Sequence, residues 1–260
     1  MEPRRSIEHV ADCNISLQRG GIGDPLLFLH GASGASHWLP FMDELSKHFE
    51  LFVPEHPGFG NSATPPWLDN VADLAYFYLD FIEKLGLKKV HLMGLSLGGW
   101  IAAELAVRNQ TSLSSLTLIA PAGLHVPGVQ NGDIFMWPPP EIIRNLYHNQ
   151  DYAEAVLRVQ PSEEEQEFQL KNRLTTAKLA WEPRLHNPHL SKWLHRITIP
   201  TLILWGAHDK IIPVQHAAAY RDSIPGARSE IFPDCGHLLH IENTIRFIDI
   251  ATQFIQGVRA

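Results

Sequence analysis

At 260 residues the chain is long enough for one large α/β domain carrying a small inserted subdomain. Its apolar fraction of 45% and charged fraction of 19% are those of an ordinary soluble globular protein. A net charge of −7 leaves no basic footprint for nucleic acid or an anionic membrane surface, and no stretch approaches the roughly 18 apolar residues of a membrane span.

The opening MEPRRSIEHVADC has Arg4 and Arg5 with no apolar run behind them, which does not read as a signal peptide. Cys13 and Cys235 lie far apart and match no CxxC or zinc spacing. Two thiols without a disulfide framework fit a reducing cytosol, so a cytoplasmic protein is expected. NISLQ (14–18) alternates as an edge strand does, and GGIGD (20–24) reads as a turn. PLLFLH (25–30) is a short continuous apolar run, the mark of a strand buried on both faces. ELFVPE (50–55), VHLM (90–93), LTLIA (116–120), TLILWG (201–206) and ARSEIF (227–232) continue the series.

Helical spacing lies between these runs. Trp38, Phe41, Met42 and Leu45 keep it, as do Val71, Leu74, Tyr78, Phe81, Ile82 and Leu85, after which Gly86 ends the helix. Ile101, Leu105 and their alanine neighbours make a helix able to pack close to a sheet. Buried strands alternating with helices predict a mostly parallel sheet with helices on both faces. The alternation fails between about 125 and 190, where polar amphipathic helices follow Pro127, Gly128, Gly132 and MWPPPEII. That stretch reads as a helical lid, leaving 1–124 and 191–260 as the core. EEE (163–165) is a solvated helix start capped by Ser162. HNPH (186–189), the nearest approach to a metal-ligand pair, reads as a turn, and no metal is expected.

The chemistry centres on GLSLG (94–98), a G-x-S-x-G set between a strand and a helix. By chance the pattern occurs in on the order of one in ten chains this long, so the flanking elements carry the reading. Gly94 and Gly98 give a sharp corner room, and the new helix offers free N–H groups beside Ser96. A serine hydroxyl needs a base, and that base must be held in orientation. Reactive groups in such folds gather at the carboxyl ends of the strands. Asp209 follows TLILWG and His237 follows ARSEIF. His240 competes as base but sits a turn into the next helical segment; Asp234 competes as acid but lies on the histidine's own loop and ranks second. An oxyanion needs two N–H donors. Leu97 supplies one, and Ala32 in HGASGAS (30–36) is expected to supply the other, with His30 structural within that loop.

HGASG, PEHPGFGNS, GLSLGG, WGAHDKIIP and CGHLLHIE, in this order and spacing, resemble the α/β-hydrolase superfamily across nearly the whole chain outside the lid. The resemblance implies an eight-stranded, mostly parallel sheet with a helical cap after the sixth strand. It also implies a Ser96–His237–Asp209 triad and no cofactor, and a structural role for the glycine-rich turn in 54–62. Serine at the corner excludes the epoxide hydrolases and haloalkane dehalogenases of the superfamily, which use aspartate there. Carbon–carbon bond hydrolases of aromatic-ring breakdown commonly carry a more glycine- and proline-rich loop after HG and a tryptophan after the histidine; here stand ASGAS and Leu238. Proline iminopeptidases usually have tryptophan in the elbow, where this chain has Leu95 and Leu97. The expectation is hydrolysis of small to medium hydrophobic carboxylic esters, with Phe135, Trp137, Trp181 and Leu238 lining the pocket. The alternatives are carbon–carbon or lactone hydrolysis, a cofactor-free acyltransferase, and a non-catalytic ligand sensor. Oligomeric state is open.

Overall fold

The computed structural model describes residues 3–258. Eight strands form one sheet: β1 (Arg4–Val10), β2 (Cys13–Gly20), β3 (Pro25–Leu29), β4 (Glu50–Pro54), β5 (Val90–Leu95), β6 (Leu113–Ile119), β7 (Thr201–Gly206) and β8 (Arg228–Phe232). Their spatial order is β1-β2-β4-β3-β5-β6-β7-β8. The β1–β2 and β2–β4 pairs are antiparallel, and every later pair is parallel. The runs of β3 to β7 became central strands because both of their faces are covered, and every residue of β5 and β7 is buried. ARSEIF departs from the expectation: it supplies β8, the other edge strand, whose Arg228, Glu230 and Ile231 are exposed.

Successive strand residues feed opposite sides of the sheet, as the two-residue period requires. Leu27, Leu29, Leu92, Ile203 and Trp205 join one core cluster; Leu26, Phe28, Met93, Leu202 and Leu204 join the other. The first face is covered by α2 (Val71–Lys84), α3 (Leu97–Arg108) and α7 (Gln215–Ser223), the second by α1 (Pro40–Ser46) and α9 (Thr244–Gly257). Helix α2 starts in a capping box, Asn70 with Asp73, and Gly86 beyond its end takes the left-handed φ of +64°.

The edge of the sheet differs from the sequence expectation. NISLQ is not an edge strand: β2 lies inside β1, the segment RRSIEHV, whose residues are mostly exposed. With Arg4, Arg5 and Glu8 on it, β1 has no apolar pattern to find, and such charge is what keeps an open edge from pairing with another chain.

Between β6 and β7 run α4 (Pro139–Leu146), α5 (Gln150–Arg158) and α6 (Glu163–Ala180). Ser162 caps α6 in a reciprocal box with Glu165. The two ends of this insert are stitched together: Gly123 N–H donates to the Leu185 carbonyl at 2.9 Å and Asn187 N–H to the Gly123 carbonyl at 3.0 Å. No described helix is long and apolar enough to cross a membrane.

Candidate active site

Strand β5 ends at Leu95 and α3 begins at Leu97, leaving Ser96 alone at the corner with φ 55° and ψ −113°. A side chain at positive φ costs on the order of 1–3 kcal/mol and persists only where its surroundings enforce it. Here they do. Ser96 N–H donates to the Ile119 carbonyl at 2.8 Å, and the Ser96 carbonyl accepts from Trp100 N–H at 3.0 Å and Ala122 N–H at 3.1 Å. A Cβ on Gly94 would collide with the Gly98 backbone, and one on Gly98 would collide with the Leu29 and His30 carbonyls. The G-x-S-x-G spacing is therefore a packing requirement: the helix turns away so sharply that only glycine fits at either side of Ser96.

Two strands along the sheet, β7 ends at Gly206 and its loop carries Asp209. The carboxylate is held at both oxygens. Oδ1 accepts from Ile211 N–H at 2.8 Å and Ile212 N–H at 2.9 Å, while Oδ2 accepts from His237 Nδ1 at 2.7 Å. The side chains are 0% and 3% exposed respectively, so water does not compete for this bond. Accepting this bond, Asp209 fixes the proton on Nδ1, which leaves the lone pair on Nε2 of His237. Strands in a sheet stand about 4.8 Å apart, so the corner of β5 and the loop of β7 are roughly 10 Å from each other. The His237 loop, coming off β8, bridges part of that gap. No hydrogen bond joins Ser96 Oγ to His237 among the described residues; such contacts often tighten only when substrate binds.

The rivals fall elsewhere. His240 is buried edge-on to Phe41, with ring centroids 4.8 Å apart, and its Nδ1 has no partner. Burial, with His237 nearby, pushes its pKa down to about 3. Asp234 is exposed.

The HGASG loop lies against Ser96: a Cβ on Gly31 would sit 3.3 Å from Ser96 Cβ. The Gly31 carbonyl accepts from His30 Nδ1 at 2.7 Å and from Gly34 N–H at 3.1 Å. In a trans peptide the N–H points opposite to the C=O, so pinning this carbonyl directs the Ala32 N–H away from both donors. The tautomer of His30 follows from its partners. Its Nε2 accepts from His56 N–H at 2.9 Å, so Nδ1 carries the proton. Burial lowers the His30 pKa to about 4, keeping the ring neutral. His56 stacks on it at 3.6 Å, donates Nε2–H to the His30 carbonyl at 2.9 Å and accepts from Tyr78 Oη at 2.5 Å. Leu97 N–H, at the first position of α3, has no intrahelical partner.

The four pocket residues separate. Trp137 covers Gly132, whose N–H donates to the Ile211 carbonyl at 2.8 Å, so this part of the insert rests on the Asp209 loop. Leu238 follows His237 directly, is half-buried, and packs on the second core cluster. Phe135 and Trp181 make an edge-to-face pair with centroids 5.4 Å apart, and Arg184 lies over both rings. Phe135 also packs, half-buried like Trp137, against the first core cluster, whereas Trp181 is 44% exposed.

One residue of the CGHLLHIE motif went without a role in the sequence reading. Glu242 on α8 (Leu239–Glu242) accepts from Gly236 N–H at 2.6 Å through Oε2, and from His148 and Asn149 N–H at 2.9 and 2.7 Å through Oε1. It fastens the α4–α5 junction to the loop that carries His237. Its signal was proximity in sequence to the histidine; its partners 93 and 94 residues away were invisible.

A serine on an enforced elbow with the HGASG loop against it, and a buried Asp–His pair on loops after β7 and β8, lie at the same end of the sheet, and known proteins share this scaffold. The model of the alpha/beta hydrolase family matches residues 26–250. The chain is 28% identical to monoacylglycerol lipase abhd6-A of Xenopus laevis, over 95% of this chain and 80% of that one. It is 27% identical to 2-hydroxymuconate semialdehyde hydrolase of Pseudomonas sp. (strain CF600), over 94% of this chain and 91% of that one. A thermophilic esterase from Thermogutta terrifontis shares the fold with a TM-score of 0.80 at 23% identity, over 99% of this chain and all of that one. The chain belongs to the alpha/beta hydrolase family.

Proposed function

We propose that the protein hydrolyses carboxylic esters through Ser96, His237 and Asp209. The observation that carries this reading is the buried 2.7 Å bond from His237 Nδ1 to Asp209 Oδ2, at the same end of the sheet as the strained Ser96 elbow. His237 Nε2 takes the Ser96 hydroxyl proton as Oγ bonds to the ester carbonyl carbon. The carbonyl oxygen becomes an oxyanion held by the Ala32 and Leu97 N–H groups. Collapse breaks the carbon–alkoxide bond, and the alkoxide leaves with the proton from Nε2. Water then enters on the same path, cleaving the acyl-enzyme to the acid and freeing Ser96.

The insert over 125–190 serves as a cap, with Trp137 and Leu238 beside the acid and base loops as its apolar lining. The substrate is a small or medium hydrophobic ester; the likeness to a monoacylglycerol lipase supports ester chemistry. The likeness to 2-hydroxymuconate semialdehyde hydrolase supports a second reading, carbon–carbon cleavage by the same residues. Against it stands Leu238 where such enzymes commonly have tryptophan.

p-Nitrophenyl esters from acetate to decanoate, run beside a dienone ring-fission product, separate the two. Ester turnover that Ser96→Ala abolishes is the expected result. Turnover of the dienone alone would move the assignment to carbon–carbon hydrolysis, and inertness toward both would leave lactone hydrolysis, acyl transfer and ligand sensing.

A further inference from the structure

Helix α6 meets the body of the protein at the oxyanion loop. Asn172 is 5% exposed and uses both ends of its amide there. Nδ2 donates to the Ser33 carbonyl at 2.9 Å, and Oδ1 accepts from Gly60 N–H at 2.9 Å. A Cβ on Gly34 would strike the same amide, so loop and helix are in direct contact. Two neighbours on α6 dock alongside without bonding to the loop. Thr175 Oγ1 donates to the Gly58 carbonyl at 2.7 Å, and Lys171 Nζ donates to the Gly60 and Ser62 carbonyls at 2.7 and 2.6 Å. Asparagine is a poor choice for a helix interior, and a buried amide without partners is destabilising by about 1–3 kcal/mol. Asn172 is accounted for by what it binds, not by the helix it sits in.

The turn over 31–34 thus has two anchors. Gly34 N–H on the Gly31 carbonyl closes it at one end, and Asn172 on the Ser33 carbonyl holds the other. Ala32 lies between them. We propose that Asn172 is a positioning residue for the oxyanion hole: docking of cap helix α6 sets the direction of the Ala32 N–H, so the hole is complete only with the cap in place. This rests on the reading of Ser96 as nucleophile and Ala32 as donor. Asn172 touches no reacting atom, and its effect falls on the transition state, where the oxyanion exists, rather than on substrate binding.

The test compares Asn172→Ala, Asn172→Asp and Thr175→Val with the wild type. Asn172→Asp keeps the shape and the acceptor for Gly60 N–H but replaces the donor to Ser33 with an oxygen. The readouts are p-nitrophenyl butyrate kinetics, the rate of Ser96 labelling by a fluorophosphonate, and inhibition by a trifluoromethyl ketone, whose hemiketal needs the oxyanion hole. In both Asn172 variants, kcat and labelling should fall about 10- to 100-fold with KM within about threefold, as a misplacement of an ångström gives. Ketone affinity should fall in parallel with kcat. Thr175→Val removes the neighbouring bond to the Gly58 carbonyl but leaves both Asn172 bonds holding α6 to the loop, so it should keep all three at wild-type values. A folded Asn172→Asp with unchanged kcat, labelling and ketone affinity overturns the inference while leaving the nucleophile in place. A wild type that takes no fluorophosphonate at Ser96 removes the nucleophile reading and the inference with it.

Discussion

Asp209 shows how much one side chain can be asked to do when both its oxygens are fixed. Two backbone N–H groups hold Oδ1, so the direction of Oδ2 toward His237 does not depend on the histidine being there. Asp209→Asn keeps that shape but offers an amide where Nδ1–H needs an acceptor, which favours the wrong tautomer. The variant should fold normally and lose about 10⁴ in kcat, measured on the ester that the wild type turns over best. A loss smaller than tenfold would mean that Asp209 only supports the loop. The glycines of the elbow make the opposite case, in which the fold and not the chemistry sets the residue. Gly98→Ala pushes a methyl group into the Leu29 and His30 carbonyls, so soluble yield and melting temperature should drop together. Soluble Gly98→Ala with an unchanged melting temperature would show that the helix can shift aside.

Among the elements, α8 and the α4–α5 junction are tied by a single carboxylate. Glu242 satisfies three N–H groups, two from the insert and one from the His237 loop, and Leu238 N–H adds a bond to the Leu146 carbonyl at 3.2 Å. Glu242→Ala leaves those donors without their acceptor. Amide hydrogen exchange should then rise at Gly236, His148 and Asn149, and kcat should fall about tenfold or more as His237 loses its seat. Faster exchange with unchanged kcat would separate the insert's anchorage from the histidine's. The expectation of a lid came from a failed alternation, and composition alone could say only that no strand lay there. The bonds that fasten the insert, through Asn172, Thr175 and Glu242, join residues about a hundred positions apart and have no local pattern.

Taken whole, the molecule buries His30, His56, His240 and, near Asp209, His216 around its site, and burial lowers the pKa of each. Burial lowers His30 to about 4 and His240 to about 3, and holds His56 well below the ordinary value of 6.5. The unfolded chain takes up protons at these positions below pH 6.5, and the folded chain does not until pH falls further. Unfolding therefore binds protons, and stability rises with pH through this window and is lost on acidification from about 6.5 toward 4. His30 and His240 can each withdraw on the order of a few kcal/mol there, and each kcal/mol shifts the melting temperature by roughly 2–4 °C in a protein of this size. His240→Leu, whose Nδ1 has no partner to lose, should raise the melting temperature at pH 5 more than at pH 8. An equal shift at both would place the acid sensitivity in the other buried histidines, the His30–His56 stack and His216.

The central strands, the elbow and the loops bearing Asp209 and His237 were legible in the sequence. Buried parallel strands are continuous apolar runs, and a corner that only glycine can flank leaves glycine at fixed spacing. Chain order then put Asp209 and His237 past the strand ends where reactive groups collect. The edge strand β1 was not legible, since an exposed charged strand has no apolar pattern and is defined only by the neighbour it pairs with. Nor were the roles of Asn172, His56, Tyr78 and Glu242, because a hydrogen bond between distant segments has no period to read. Phe135, Trp137 and Trp181, alike in the sequence as apolar aromatics, are set apart only by the fold: Phe135 and Trp137 pack on the first core cluster, Trp137 also over Gly132 beside the Asp209 loop, while Trp181 is left 44% exposed.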